Sequence, residues 1–284
     1  MGWRLFSRLG RSARIGALIL VACALAGAAN ADDLKPQSVG SREVWVGVDA
    51  GEHNWLVYSG ATFAPFGDVQ SDGLRLRATT GYGNFNTNHY RLGIKNPYPV
   101  DVTKTYADAS IGYQSRFGEL TAKAFIGLAV LSDTFDGGTF GAKQTDVGLK
   151  GGLELWLNLG PHAWSSLDLS YADTQATIGG RVRVGYRVLP TVSLGAEGIF
   201  DRSTAVANAN AKDPIGQVPV ADQDRFYGTA RVGGFARYEW FGGEISASGG
   251  LSGEIYKKNG KDASDIDPLH RPSAYGTLNF IVQF

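Results

Sequence analysis

From residue 43 onward, apolar and polar positions alternate. In EVWVGVDAG, Val44, Val46, Val48 and Ala50 take every second place; in GLRLRATTGYG, Leu74, Leu76, Ala78, Thr80 and Tyr82 oppose Arg75, Arg77, Thr79 and Gly81. A period of two predicts strands whose two faces meet different surroundings. Ala107, Ala109, Ile111, Tyr113 and Phe117 oppose Asp108, Ser110 and Gln114, and Leu120, Ala122, Ala124, Ile126, Leu128 and Val130 oppose Thr121, Lys123 and Gly127. Val147, Leu149, Leu153, Leu155 and Leu157 oppose Asp146, Lys150, Glu154 and Trp156. The second half repeats the pattern. Leu167, Leu169 and Tyr171 oppose Ser166, Asp168 and Ser170, while Ile178, Val182, Val184, Tyr186 and Val188 oppose Thr177, Arg181, Arg183 and Arg187. Leu194 and Ala196 oppose Ser193 and Glu197; Val232, Ala236 and Tyr238 oppose Arg231 and Arg237; Ile245, Ala247 and Leu251 oppose Glu244, Ser246 and Ser252. Leu278, Phe280, Val282 and Phe284 alternate with Asn279 and Gln283.

These runs amount to about twelve strands of roughly ten residues, an even number. No amphipathic helix is left to cover their apolar faces, as a soluble sandwich would require. The predicted fold is all-β: a transmembrane antiparallel up-and-down β-barrel with apolar residues toward lipid and polar residues toward the lumen. The gaps between runs agree. With both termini in the periplasm, the near-side gaps (65–72, around Gly118, 158–163, around Pro190, 239–243) are short, whereas the far-side gaps 84–104, 132–143, 202–222 and 257–273 are long and two more, near Glu52-His53 and Asp173-Thr174, are short. Trp55, Tyr82, Phe117, Trp164, Tyr171, Tyr238, Trp240 and Phe241 fall near strand ends and are expected in interfacial girdles.

The first residues change the picture of where such a barrel would go. Arg4, Arg8, Arg11 and Arg14 precede the apolar run IGALILVACALAG, and Ala29-Asn30-Ala31 places small residues where a signal peptidase reads. The expected organisation is a signal peptide at 1–31, a short periplasmic segment at 32–42 and a barrel at 43–284, located in the outer membrane. Cys23 in Leu20-Val21-Ala22-Cys23 leaves lipoprotein processing as the alternative. Cleavage at Ala31 removes the sole cysteine and with it any disulfide or thiolate metal site.

Composition mainly excludes. Lys plus Arg and Asp plus Glu number 27 each among 284 residues, so nothing draws the chain to nucleic acid. No phosphate loop, nucleotide fingerprint or glycosidase carboxylate pair stands out, and no cofactor is expected. His53 and His270 fall in loops, with Asp267 and Ser273 near the latter, but neither has metal-ligand spacing or a rigid setting for catalysis. A non-enzyme is expected; an outer-membrane lipid hydrolase is the minor rival.

The candidate chemistry lies on the predicted inner face: Arg75, Arg77, Lys123, Lys150, Glu154, Trp156, Arg181, Arg183, Arg187, Glu197, Arg231, Arg237 and Glu244. Two readings stay open. These charges pair across a closed lumen, or an arginine-rich wall selects sugars or anionic oligosaccharides in a narrow channel. The last strand suggests an assembly signal at Phe280, Val282 and Phe284.

One stretch carries a family resemblance. GVDAG followed by YSGATFAPFGDVQSDGLRLRATTGYG is similar to the opening of the cellulose biosynthesis protein BcsS family of α-proteobacteria, through Gly47, Asp49, Tyr58, Gly60, Gly67, Asp68, Asp72, Gly73, Arg77, Gly81, Tyr82 and Gly83. The resemblance implies an outer-membrane component linked to cellulose production or export, with no catalytic residues to carry over. The partners expected are outer-membrane lipid and lipopolysaccharide, the barrel-assembly machinery, and cellulose-synthesis or export components or the polysaccharide itself.

Overall fold

The computed structural model describes residues 39–52, 54–89, 98–136, 142–204, 226–256 and 270–284. They form twelve strands: β1 (Arg42–Gly51), β2 (Asn54–Phe63), β3 (Gly73–His89), β4 (Tyr98–Phe117), β5 (Leu120–Asp136), β6 (Ala142–Leu159), β7 (Ala163–Ala172), β8 (Thr177–Leu189), β9 (Val192–Thr204), β10 (Phe226–Trp240), β11 (Gly243–Tyr256) and β12 (His270–Gln283). Each pairs antiparallel with its chain neighbour, and β1 pairs with β12 to close the barrel. Closure leaves no open sheet edge, which a hydrocarbon environment demands. Among the described residues no helix is long and apolar enough to cross a membrane, a fact that says nothing about crossing by strands.

Register carries the two-faced pattern around the ring. Leu76 opposes Ile111, Ile111 opposes Ile126 and Leu128 opposes Leu149, so apolar side chains line up on the outer wall. Ile126, Leu128, Val147, Leu149, Val182, Val232 and Leu251 are all exposed there. A water-soluble protein does not display such a band; hydrocarbon accepts it. At the end where β1 begins and β12 ends, the terminal end of the barrel, Gly118 turns the β4–β5 hairpin with φ +61, a left-handed conformation that costs glycine least.

Three features differ from the sequence expectations. Most strands are longer than about ten residues; β1, β2 and β7 have 10, whereas β4 runs to 20. The expected 84–104 loop is largely strand, since β3 and β4 pair as far as His89 with Tyr98. Beyond the bilayer both faces of a hairpin are wet, so alternation fades while the hydrogen-bond ladder continues. Finally, Trp164 is not a girdle residue. It shares the inward parity of Ser166 and Asp168 and is 0% exposed. Trp55 and Tyr82 do meet on the outer wall (ring centroids 5.6 Å), as do Tyr238, Trp240 and Phe280.

Candidate functional site: the barrel lumen

At the terminal end the β2–β3 turn, residues 64–72, folds inward. Val69 donates its N–H to the Gly40 carbonyl (3.0 Å) and Ala64 to that of Ser41 (2.8 Å), and Val39, Ala64 and Val69 form a small apolar cluster. Arg75 holds this turn. Its guanidinium donates to the carbonyls of Leu74 (2.8 Å), Asp68 (3.1 Å), Val69 (3.2 Å) and Ser71, and it is 2% exposed. From β4, Gln114 Nε2 reaches the Ser71 carbonyl (2.9 Å) and Arg116 that of Gln70 (2.6 Å); the Gln70 amide meets Gln283 of β12 (3.0 Å). Arg75 therefore faces inward, yet it is spent on backbone carbonyls rather than on the lumen.

Further in, ion pairs cross between strands that are not neighbours. Arg77 on β3 grips Glu154 on β6, with Lys123 Nζ 3.8 Å from the same carboxylate. Lys150 Nζ lies 2.5 Å from Asp108 of β4, and Arg231 on β10 pairs with Asp49 on β1. Tyr58 donates its hydroxyl to Asn279 of β12. Arg181 meets Glu197 at 2.5 Å, and the Tyr275 hydroxyl donates to that carboxylate at 3.0 Å. Lys123–Glu154 and Arg181–Glu197 join neighbouring strands, whereas the other links span two or three strands of the wall. Breaking one member of a buried pair strands the other's charge, at about 3–5 kcal/mol.

A layer of aromatic and guanidinium groups fills the β6–β10 side near the terminal end. Trp156 stacks on Trp164 at 4.3 Å and 18°, and Phe235 lies 5.4 Å from Trp164. The stack exists because β8 has no side chain at Gly185, where a Cβ would sit 2.4 Å from the Trp164 ring. Trp164 Nε1 donates to Ser193 (3.2 Å), a partner that a fully buried indole needs. Arg237 lies over both indoles, 4.7 and 5.1 Å from their centroids, and pairs with Glu239 and Glu244. Arg183 lies 5.9 Å from Trp164 and 5.8 Å from Phe235. Nearer the mouth, Arg187 donates to Asn158 Oδ1 (3.2 Å) and the Pro161 carbonyl (3.5 Å).

The far end is drawn in as well. The β7–β8 connection is one 3-10 turn, Thr174–Ala176, in which Gln175 and Ala176 adopt φ of 52° and 41°. Thr174 and Gln175 are buried, and Gln175 bonds Asp133 of β5 (2.6 Å) and Asp146 of β6 (3.0 Å). Non-glycine residues keep left-handed conformations only where surrounding bonds over-determine them.

Of the residues singled out from sequence, the structure brings Arg77, Lys123 and Glu154 into one group, and Trp156, Arg183, Arg237 and Glu244 into another. Lys150, Arg181, Glu197 and Arg231 lie between, each with its own partner. Asp49, Tyr58, Asp108, Trp164, Phe235 and Tyr275 were not among those candidates, though their inward parity was a usable signal. On β12, Phe280 packs against Trp240 on the outer wall, and Phe284 exchanges both backbone bonds with Arg42 at 2.9 Å. Val282 opposes Val44 and is buried. Ala29, Ala31, Cys23, His53 and Asp267 lie outside the described residues. Among the described residues no group of His, Cys, Asp and Glu side chains is arranged to hold a metal ion.

Residues 44–210 match the family described as cellulose biosynthesis protein BcsS. No curated protein matches the chain. Among solved structures, the chain is similar to the KdgM porin in complex with disordered oligogalacturonate, at 9% identity, covering 85% of this chain and 99% of that one with a TM-score of 0.42. It is similar to the translocator domain of autotransporter NalP from Neisseria meningitidis at 14% identity, covering 96% and 97%, with a TM-score of 0.44. The beta domain of the Bordetella autotransporter BrkA gives 11% identity, 86% and 99% coverage and a TM-score of 0.48.

Proposed function

We propose, since the chain belongs to the cellulose biosynthesis protein BcsS family, that it is an outer-membrane accessory of bacterial cellulose production or export with a structural, non-catalytic role. The observation that supports this reading is the set of ion pairs between non-neighbouring strands, Arg77–Glu154 and Arg231–Asp49 above all. A wall tied across its own lumen is suited to presenting fixed surfaces rather than to passing solutes. The signal peptide ends at Ala31, the barrel-assembly machinery inserts the chain, and lipid and lipopolysaccharide cover the outer band. The end with the inward-folded β2–β3 turn faces the periplasm, where cellulose-export components are the partners.

A second reading, a narrow channel for sugars or anionic oligosaccharides, draws on Arg183 and Arg187. Among the described residues neither has an acid within ion-pair distance. The test of the accessory role is deletion of the gene in a cellulose-producing cell, followed by fractionation and by extracellular cellulose measurement. Loss of surface cellulose, restored by the wild-type chain found in the outer membrane, is expected. Unchanged cellulose, or a chain recovered as a soluble periplasmic protein, contradicts the reading.

A further inference from the structure

Five buried atoms with no hydrogen-bond partner gather at the terminal end of the lumen, and each can donate: Arg183 Nε, Arg237 Nη1, the hydroxyls of Ser166 and Ser246, and Asn279 Nδ2. Register sorts them into two groups. Ser166 opposes Arg183 between β7 and β8, and Ser246 opposes both Arg237 on β10 and Asn279 on β12. The two guanidinium groups flank one ring, Trp164, at 5.9 and 5.1 Å. The other orphaned atoms lie elsewhere and are of both kinds: Gln114 Oε1 and Arg75 Nε under the β2–β3 turn, Asp133 Oδ1 at the far end, and Asp49 Oδ1 and Arg231 Nε within their own ion pair.

The charges lean the same way. Arg77, Arg181, Arg231 and Arg237 each have a carboxylate within ion-pair distance; among the described residues Arg183 has none. Arg187, four positions along the same strand face, bonds only the neutral acceptors Asn158 and Pro161. Buried donors are rarely left unsatisfied in native proteins, and here several converge beside Arg183, which feels the Asp168 and Glu244 carboxylates but makes no ion-pair contact among the described residues. An oxyanion answers both shortages, since one carboxylate accepts several charge-assisted bonds and fits the guanidinium fork.

We infer that this patch is a binding site for an anionic saccharide, whose carboxylate is taken by Arg183 and its neighbouring donors after entry past Arg187. Trp156, the indole of the stack that is not fully buried, borders the site and supplies an apolar edge for the sugar ring. Binding there requires no through-pore, and its failure would leave the braced-barrel reading standing.

The experiment uses the full-length barrel refolded in detergent, with intrinsic Trp fluorescence reporting on the Trp156–Trp164 stack. D-glucuronate, inorganic phosphate and cellobiose are titrated separately. Saturable change with glucuronate is expected, weakened about tenfold or more in Arg183→Gln, the scale of one lost charge-assisted contact. Arg187→Gln, at the mouth, weakens it less, and Lys104→Gln, near Phe85 toward the far end, leaves it unchanged. If Arg183→Gln does not fold, Arg187→Gln carries the comparison. Four results overturn the inference: no saturation, equal binding of cellobiose, binding of phosphate without glucuronate, or identical titrations for wild type and the arginine variants.

Discussion

Arg77 on β3 holds Glu154 on β6 with two nitrogen–oxygen contacts, one of them Nη2 to Oε2 at 3.1 Å, although β4 and β5 lie between them in the wall. The guanidinium also rests 3.8 Å from the Phe125 ring and 5.2 Å from that of Trp45. A single side chain thus connects β1, β3, β5 and β6. An inward arginine placed in this way is a brace.

Removing one half of that brace should be worse than removing both. Arg77→Met or Glu154→Met should each cost about 3–5 kcal/mol, because the remaining charge is left without its partner, whereas the double Met variant should recover most of the loss. Denaturant unfolding of the refolded barrel measures this. Additive losses would mean that the two groups act separately.

The alternation that separates Arg77 from Leu76 was legible in the sequence because lipid and lumen impose opposite chemistry on successive residues. Strand number and closure followed from the same signal. What each inward residue does was not legible. Arg75 and Arg77 have the same parity two residues apart, yet one clamps a turn through its carbonyls and the other crosses the lumen. The difference arises from how residues 64–72 fold back, which no local pattern encodes. Trp164 was misplaced in a girdle for a related reason: its pocket depends on the absent side chain at Gly185, on the next strand. Strand length was underestimated where both faces meet water and the alternation stops reporting.

The outer face gives a direct check of register. Leu153 opposes Ala124 and Leu169 on the lipid side. Leu153→Arg should cost about 2–4 kcal/mol near the bilayer midplane, and Leu153→Met should be nearly neutral. Barrel yield and unfolding in lipid measure both, and a tolerated arginine would shift every strand face by one residue.

The end of β12 separates assembly from stability. Phe284 is half-exposed, and its backbone bonds with Arg42 survive a side-chain change. Phe284→Ala should therefore lower in-vitro stability by no more than about 1 kcal/mol, a fraction of full aromatic burial. If the stripe Phe280, Val282 and Phe284 is read by the assembly machinery, insertion in cells should fall several-fold. Equal losses in cells and in detergent refolding would reduce Phe284 to a packing residue.

The central claim, a barrel braced across its lumen rather than an open pore, is tested most directly by single-channel recording of the purified protein in planar bilayers. Wild type should give no steady conductance, and a variant lacking the braces, Arg77→Ala with Arg231→Ala, should give more frequent openings. A stable wild-type conductance blocked by added oligosaccharide would contradict the account and favour the channel.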